Sequence, residues 1–200
     1  MLNEYIQKLL ETLAAFIILH ILWLVSCLPI ITIYPATVTL FEIVRKWRIN
    51  GVNYQITKEY TSLLKENCIN YLLFGVCWKF ISVILFTYIY FIWSIELFGK
   101  TLLISLGLIV LFLYGGISLY LFPLTAHFNL PKKIILKNAS LLAIGKMGTT
   151  VVALLIIGLI NISMYYFNLL FWISSSLTAY LLYILISNRN PRLWVGTNDK

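Results

Sequence analysis

The sequence predicts an all-α fold, a polytopic membrane helix bundle. Three observations carry this. Hydrophobic residues make up 61% of the 200-residue chain and charged residues only 11%, where a soluble domain carries about 25% charged residues. Apolar runs near the ~20 residues needed to span a bilayer recur along the whole length. The cations are gathered between those runs, on alternate connections. The net charge of +8 therefore reads as membrane topology and not as a nucleic-acid surface.

The predicted spans are about 13–33, 69–93, 101–122, 147–164 and 168–186, in a single membrane domain covering residues 1–200. The last two share one apolar block, Met147 to Ile186. It is too long for one span and is broken near Asn161–Asn168. Met1–Glu11 carries Glu4, Lys8 and Glu11, unlike the basic n-region of a signal peptide.

Arg45, Lys46, Arg48, Lys58 and Lys65 fall in the first connection, and Lys132, Lys133, Lys137 and Lys146 in the third. Arg189, Arg192 and Lys200 fall in the tail. Lys8 and Lys100 are the cations of the opposite side. The positive-inside rule then predicts the N-terminus outside and the C-terminus in the cytoplasm, N-out/C-in, with about five transmembrane helices.

Two of the cytoplasmic connections predict amphipathic helices at the inner membrane surface. From Tyr54 to Tyr71, Ile56, Tyr60, Leu63, Leu64 and Tyr71 share a face. After Pro131, Ile135, Ala139 and Leu142 do the same. A solvated linker is the alternative for each. The order of span, amphipathic helix and span occurs twice, and each first span ends at a proline near a threonine: Pro29 with Thr32, and Pro123 with Thr125. This reads as a weak parallel repeat.

Several residues stand out chemically. Pro29 and Pro35 remove backbone donors and free carbonyls, Val25 among them, and these need partners inside hydrocarbon. Either Pro35 ends the helix at the interface with Thr37 or Thr39 starting the next, or the broken helix lines a cavity. Lys79 is the charge inside a span, ~15 Å past its start at 1.5 Å per residue. It either snorkels to the headgroups or donates to the carbonyls loosened by Pro29. His20 lies in the first span, where a hydrogen bond to another helix outweighs a proton relay. Cys27, Cys68 and Cys77 form no metal or disulfide pattern. No nucleophile elbow, zincin motif, P-loop or paired carboxylates are present in the sequence. A non-enzyme with no cofactor and no metal site is expected.

Leu19-His20-Ile21-Leu22-Trp23-Leu24, then Leu28-Pro29-Ile30-Ile31-Thr32-Ile33-Tyr34-Pro35-Ala36, then Val44-Arg45-Lys46-Trp47 resembles the opening of the YesL-like family of bacterial membrane proteins, which has no assigned function. Phe122-Pro123-Leu124 with Phe128, followed by Lys137-Asn138-Ala139, resembles the family's second landmark. His20 stands where the family usually has asparagine and keeps a polar group there. Tyr34 stands where it has glycine, which argues against a tight glycine turn before Pro35. The resemblance implies a multi-pass protein of the plasma membrane, typically of Gram-positive bacteria and often encoded beside carbohydrate uptake and utilisation functions. It brings no catalytic residues.

The expected function is accessory to carbohydrate uptake or utilisation, acting through membrane partners such as sugar-transporter permease subunits or through self-association. Membrane lipids are expected around it. The alternative is a small solute transporter or channel, oligomeric because the polar residues of its spans are sparse. The residues expected to matter for function or structure are His20, Pro29, Thr32, Pro35, Arg45, Lys46, Lys79, Pro123 and Asn138.

Overall fold

A computed structural model describes residues 2–52, 55–95, 98–128 and 130–189. Described residues form helices joined by short turns, and none is in a strand. α1 is Leu2–Cys27, α2 Ile33–Asn50, α3 Ile56–Ser94 and α4 Lys100–His127. α5 is Lys132–Gly145, α6 Met147–Tyr166, α7 Asn168–Phe171 and α8 Ser174–Arg189. Four of them, α1 from Leu9, α3, α4 and α6, are long and apolar enough to cross a membrane. α8 coincides with the fifth predicted span but has only 16 residues, about 24 Å at 1.5 Å per residue.

The first departure from expectation is at the end of the first span. α1 stops at Cys27, and a single 3-10 turn over Ile30–Thr32 leads into α2. α2 then runs back along α1, with the Trp23 indole donating to Thr37 Oγ1 at 3.3 Å. Further along, the Phe16 and Trp47 rings lie 5.4 Å apart. Pro35 does not end a helix. It lies in the first turn of α2, where the missing N–H would have had no intrahelical acceptor in any case. The segment read as a cytoplasmic connection is instead the most buried helix of the fold. Ten of its residues are buried, from Tyr34 to Trp47.

α8 pairs antiparallel with α1. His20 meets Ser175, Ser176 Oγ donates to Phe16 O at 2.9 Å, and the Phe16 and Tyr180 rings are 5.6 Å apart. The N-terminal part of α1 and the C-terminal end of α8 therefore point to the same end of the bundle. An N-out/C-in arrangement of five spans required these helices to run parallel. The antiparallel pairing of α1 with α8, and the reversal at 28–32 that sends α2 back along α1, depart from that arrangement. Arg192 and Lys200, counted in that topology, lie outside the described residues.

The second departure is that the amphipathic segment 54–71 and the span 69–93 are one continuous helix, α3. It packs antiparallel to α2, with Lys46 level with Glu59 and Thr39 level with Asn67. α4 returns along α3, with Trp78 and Tyr114 stacked at 4.9 Å. α5 folds back along α4 and buries Ile135, Ala139 and Ala143. Its predicted apolar face is thus present, spent on α4 and α6. Pro123 does not end α4, which continues to His127. The apolar block Met147–Ile186 breaks after Tyr166, around the single turn of α7.

Candidate functional site

The polar groups of the bundle gather in two places. One is a seam between α2, α3 and the end of α4. Asn67, 4% exposed, donates from Nδ2 to Thr39 Oγ1 and to Glu42 Oε2, both at 3.0 Å. Thr39 in turn donates to Pro35 O at 2.9 Å. One turn back, Tyr34 shares a 3.3 Å hydrogen bond with Thr125. Arg45 Nη1 donates to Ala126 O at 2.9 Å and His127 O at 3.1 Å. It thereby caps the last carbonyls of α4 with a cation, as the helix dipole favours. Lys46 pairs with Glu59 at 2.7 Å. Of these, Glu42, Arg45, Lys46, Asn67, Thr125 and Ala126 border a cavity of about 290 Å³ that also meets Glu66, Asn70, Tyr71 and His127.

More cations close the same end. Arg48 donates to Asn188 Oδ1 at 2.7 Å, and Lys146 donates to Arg189 O at 2.7 Å. Through Arg45, Arg48 and Lys146, the C-terminal ends of α2, α4 and α8 and the start of α6 are tied together.

The other place is a partly open cavity of about 380 Å³ bounded by α1, α2, α4, α6, α7 and α8. His20, 2% exposed, lines it. Nδ1 of His20 lies 2.7 Å from Ser175 Oγ and accepts from the Ser175 backbone N–H at 3.4 Å. The interhelical hydrogen bond expected of His20 is present.

Tyr34 is held without a glycine turn because the room comes from α3. A Cβ at Gly75 would collide with the Tyr34 side chain. The missing methyl lets the Tyr34 ring settle among Phe74 and Phe122, at 5.4 and 5.3 Å.

Lys79 does not donate to the carbonyls loosened by Pro29. Thr32 Oγ1 serves Ser26 O and Pro29 O, both at 2.6 Å, and Leu28 N–H serves Val25 O at 3.3 Å. Lys79 is exposed on the flank of α3 and borders a shallow hollow with Ser82, Tyr114 and Ser118. Asn138 is half-buried on α5, away from both cavities. Pro123 is buried in α4, between Phe122 of the larger cavity and Thr125 of the smaller.

Sequence reasoning missed Asn67, Thr39 and Ser175 as contact-making residues. Asn67 carried a usable signal: an amide one turn before an apolar run is costly to bury without a partner. Among the described residues no group of three or more His, Cys, Asp or Glu could hold a metal ion.

Residues 16–89, from the middle of α1 through most of α3, match the family model described as "Protein of unknown function, DUF624". The chain is 27% identical over 147 residues to "Uncharacterized protein YteU" of Bacillus subtilis (strain 168), covering 72% of this chain. The match spans 66% of that relative, just under two thirds of its length. No solved structure matches the chain. DUF624 is the YesL family, so the family model that matches residues 16–89 is that of the family the sequence resembles, whose function is unknown.

Proposed function

We propose that the chain is a non-enzymatic, multi-pass protein of the plasma membrane, accessory to carbohydrate uptake or utilisation, that acts by binding other proteins within the bilayer. The observation that carries this reading is the bare outer half of α3. Beyond Gly75 the helix buries a single residue, Ile92. Phe80, Val83, Phe86, Tyr90 and Phe91 are 57–75% exposed. Such a surface needs lipid or a partner over it. Lys79 at its edge offers a charge to which a second membrane helix can respond. The carbohydrate context rests on the family resemblance alone.

In this reading the end bearing Arg45, Arg48, Lys146 and Arg189 faces the cytoplasm, and α8 is the last crossing. Both the start of α1 and the end of α8 are then cytoplasmic. Single cysteines at Gln7 and Asn188 in a background with Cys27, Cys68 and Cys77 replaced by serine test this. Both should resist a membrane-impermeant maleimide in intact cells and react after permeabilisation. Labelling of Gln7→Cys in intact cells would restore N-out.

Crosslinking in native membranes with mass spectrometry tests the function. Recovery of sugar-transporter permease subunits, crosslinked through the Phe80–Phe91 surface, is expected. Self-contacts alone, together with solute flux in liposomes, would overturn the accessory role and establish the transporter alternative.

A further inference from the structure

We propose that the cavity around His20 is an intramembrane binding site for a neutral lipophilic molecule carrying one hydrogen-bond acceptor, such as a hydroxyl, ether or ketone oxygen. This site is independent of the accessory role argued above.

The histidine tautomer comes first. The backbone N–H of Ser175 can only donate, and it is directed at His20 Nδ1. Nδ1 is therefore the accepting nitrogen, which assigns the ring proton to Nε2. Nε2 is buried and has no partner. The ring is 2% exposed, so an N–H donor is held out of water with nothing to accept it. That arrangement is costly, and an acceptor in the cavity relieves it.

The walls then select the rest of the ligand. The hydroxyl donors facing the cavity and one Asn161 amide hydrogen are already engaged locally. Thr37 donates to Ile33 O at 2.7 Å, Asn161 to Ile157 O at 2.8 Å and Thr178 to Ser174 O at 2.6 Å. No Asp, Glu, Lys or Arg lines the space, so a charged ligand would lose its hydration without gaining a counter-ion. A buried water needs two to four polar partners, and the free donors on this mainly apolar wall are the His20 N–H and the second Asn161 amide hydrogen. The remaining lining is aliphatic and aromatic, including Leu40, Phe41, Phe122, Ile160 and Phe171. The volume of about 380 Å³ lies within the ~300–1,000 Å³ of small-molecule sites. At ~30 Å³ per water molecule in the liquid, that is room for roughly a dozen water-sized units.

The acceptor can come from the ester region of a bilayer lipid or from a free lipophilic compound. The full chain, purified in detergent, is photolabelled with a diazirine-bearing fatty alcohol, and the labelled residues are mapped by mass spectrometry. 1-Decanol and decane serve as competitors. Label is expected on cavity residues such as Met164 and Phe171, with decanol competing about tenfold better than decane, the worth of relieving one buried unpaired donor. His20→Leu should remove that preference while decane still competes. His20→Asn, which keeps an N–H donor, should retain it. Ile160→Trp should fill the space and lower labelling regardless of headgroup. Labelling that rises after exhaustive delipidation identifies a membrane lipid as the resident ligand, and unchanged labelling identifies a free lipophile. Equal competition by decanol and decane in the unsubstituted protein, or label confined to the outer faces of α3 and α4, overturns the proposal.

Discussion

Two helices of this protein, α2 and α5, fold back along the long helix that precedes them, and they do so by different means. α2 follows a full stop at Pro29 and a 3-10 turn, and buries ten residues against neighbouring helices. α5 follows a helix that runs on through Pro123, and buries three: Ile135, Ala139 and Ala143. α2 carries its polar groups inward, where Thr39, Glu42 and Arg45 are taken up by Asn67 and by the carbonyls of α4. α5 turns its lysines outward, with Lys133 and Lys137 exposed. The same span–helix–span order thus yields one structural keystone and one amphipathic cover. Inward-facing polar groups with named partners, more than apolar content, separate the two.

The comparison can be broken most sharply at two glycines. Gly75→Leu drives a side chain into Tyr34 where α2 and α3 meet most closely. It should destabilise by about 3 kcal/mol or more, or prevent assembly. At Gly116, beside α5 and α6, an added Cβ comes 2.9 Å from Cγ2 of the buried Thr150 and 3.7 Å from the Ala143 Cβ. Gly116→Ala also gains helix propensity of up to ~1 kcal/mol against the shift it asks of Thr150, so its net loss should be well below that of Gly75→Leu. Thermal unfolding of both variants in the same detergent decides this, and equal losses would mean that the two return helices are equivalent.

A smaller effect tests the inward polar seam. Asn67→Leu removes the donor shared by Thr39 and Glu42 and should cost about 1–3 kcal/mol. For a chain of this size that is a fall in Tm of ~2–4 °C per kcal/mol. Unchanged Tm would show the seam to be ornamental. The smallest effect belongs to α5: Lys137→Ala on its outer face should stay within about 0.5 kcal/mol. A larger loss would give α5 a role that its packing does not account for.

Much of the fold was legible because hydropathy and charge are local properties. The apolar runs gave α1, α3, α4 and α6, and Pro131 with the spacing of Ile135 and Ala139 gave α5. The reversal at Leu28–Thr32 was not legible. Arg45, Lys46 and Arg48 made the following segment look like a cytoplasmic connection. What buries it is a set of partners far along the chain, such as Ala126 for Arg45. The junction of the amphipathic segment with the second span was hidden for the opposite reason. The face buried at Ile56 and Tyr60 changes character along α3 without any helix-breaking residue between. For His20, the sequence pointed to a hydrogen bond with another helix, but the partner is Ser175, 155 residues away. The Ser174–Ser176 run was visible only as sparse polarity.

The unbroken length of α3 has a mechanical side. The helix has 39 residues, about 58 Å at 1.5 Å per residue, nearly twice the ~30 Å hydrocarbon core. It is gripped near its middle, where the Tyr34 ring lies against Gly75, and carries Glu59 near one tip and Trp93 near the other. Its first half is held along α2, through Glu59, Asn67 and Gly75, and its outer half extends beyond that grip. From Gly75 to Trp93 the arm is about 27 Å, so a tilt of ~10° swings the far tip by ~5 Å.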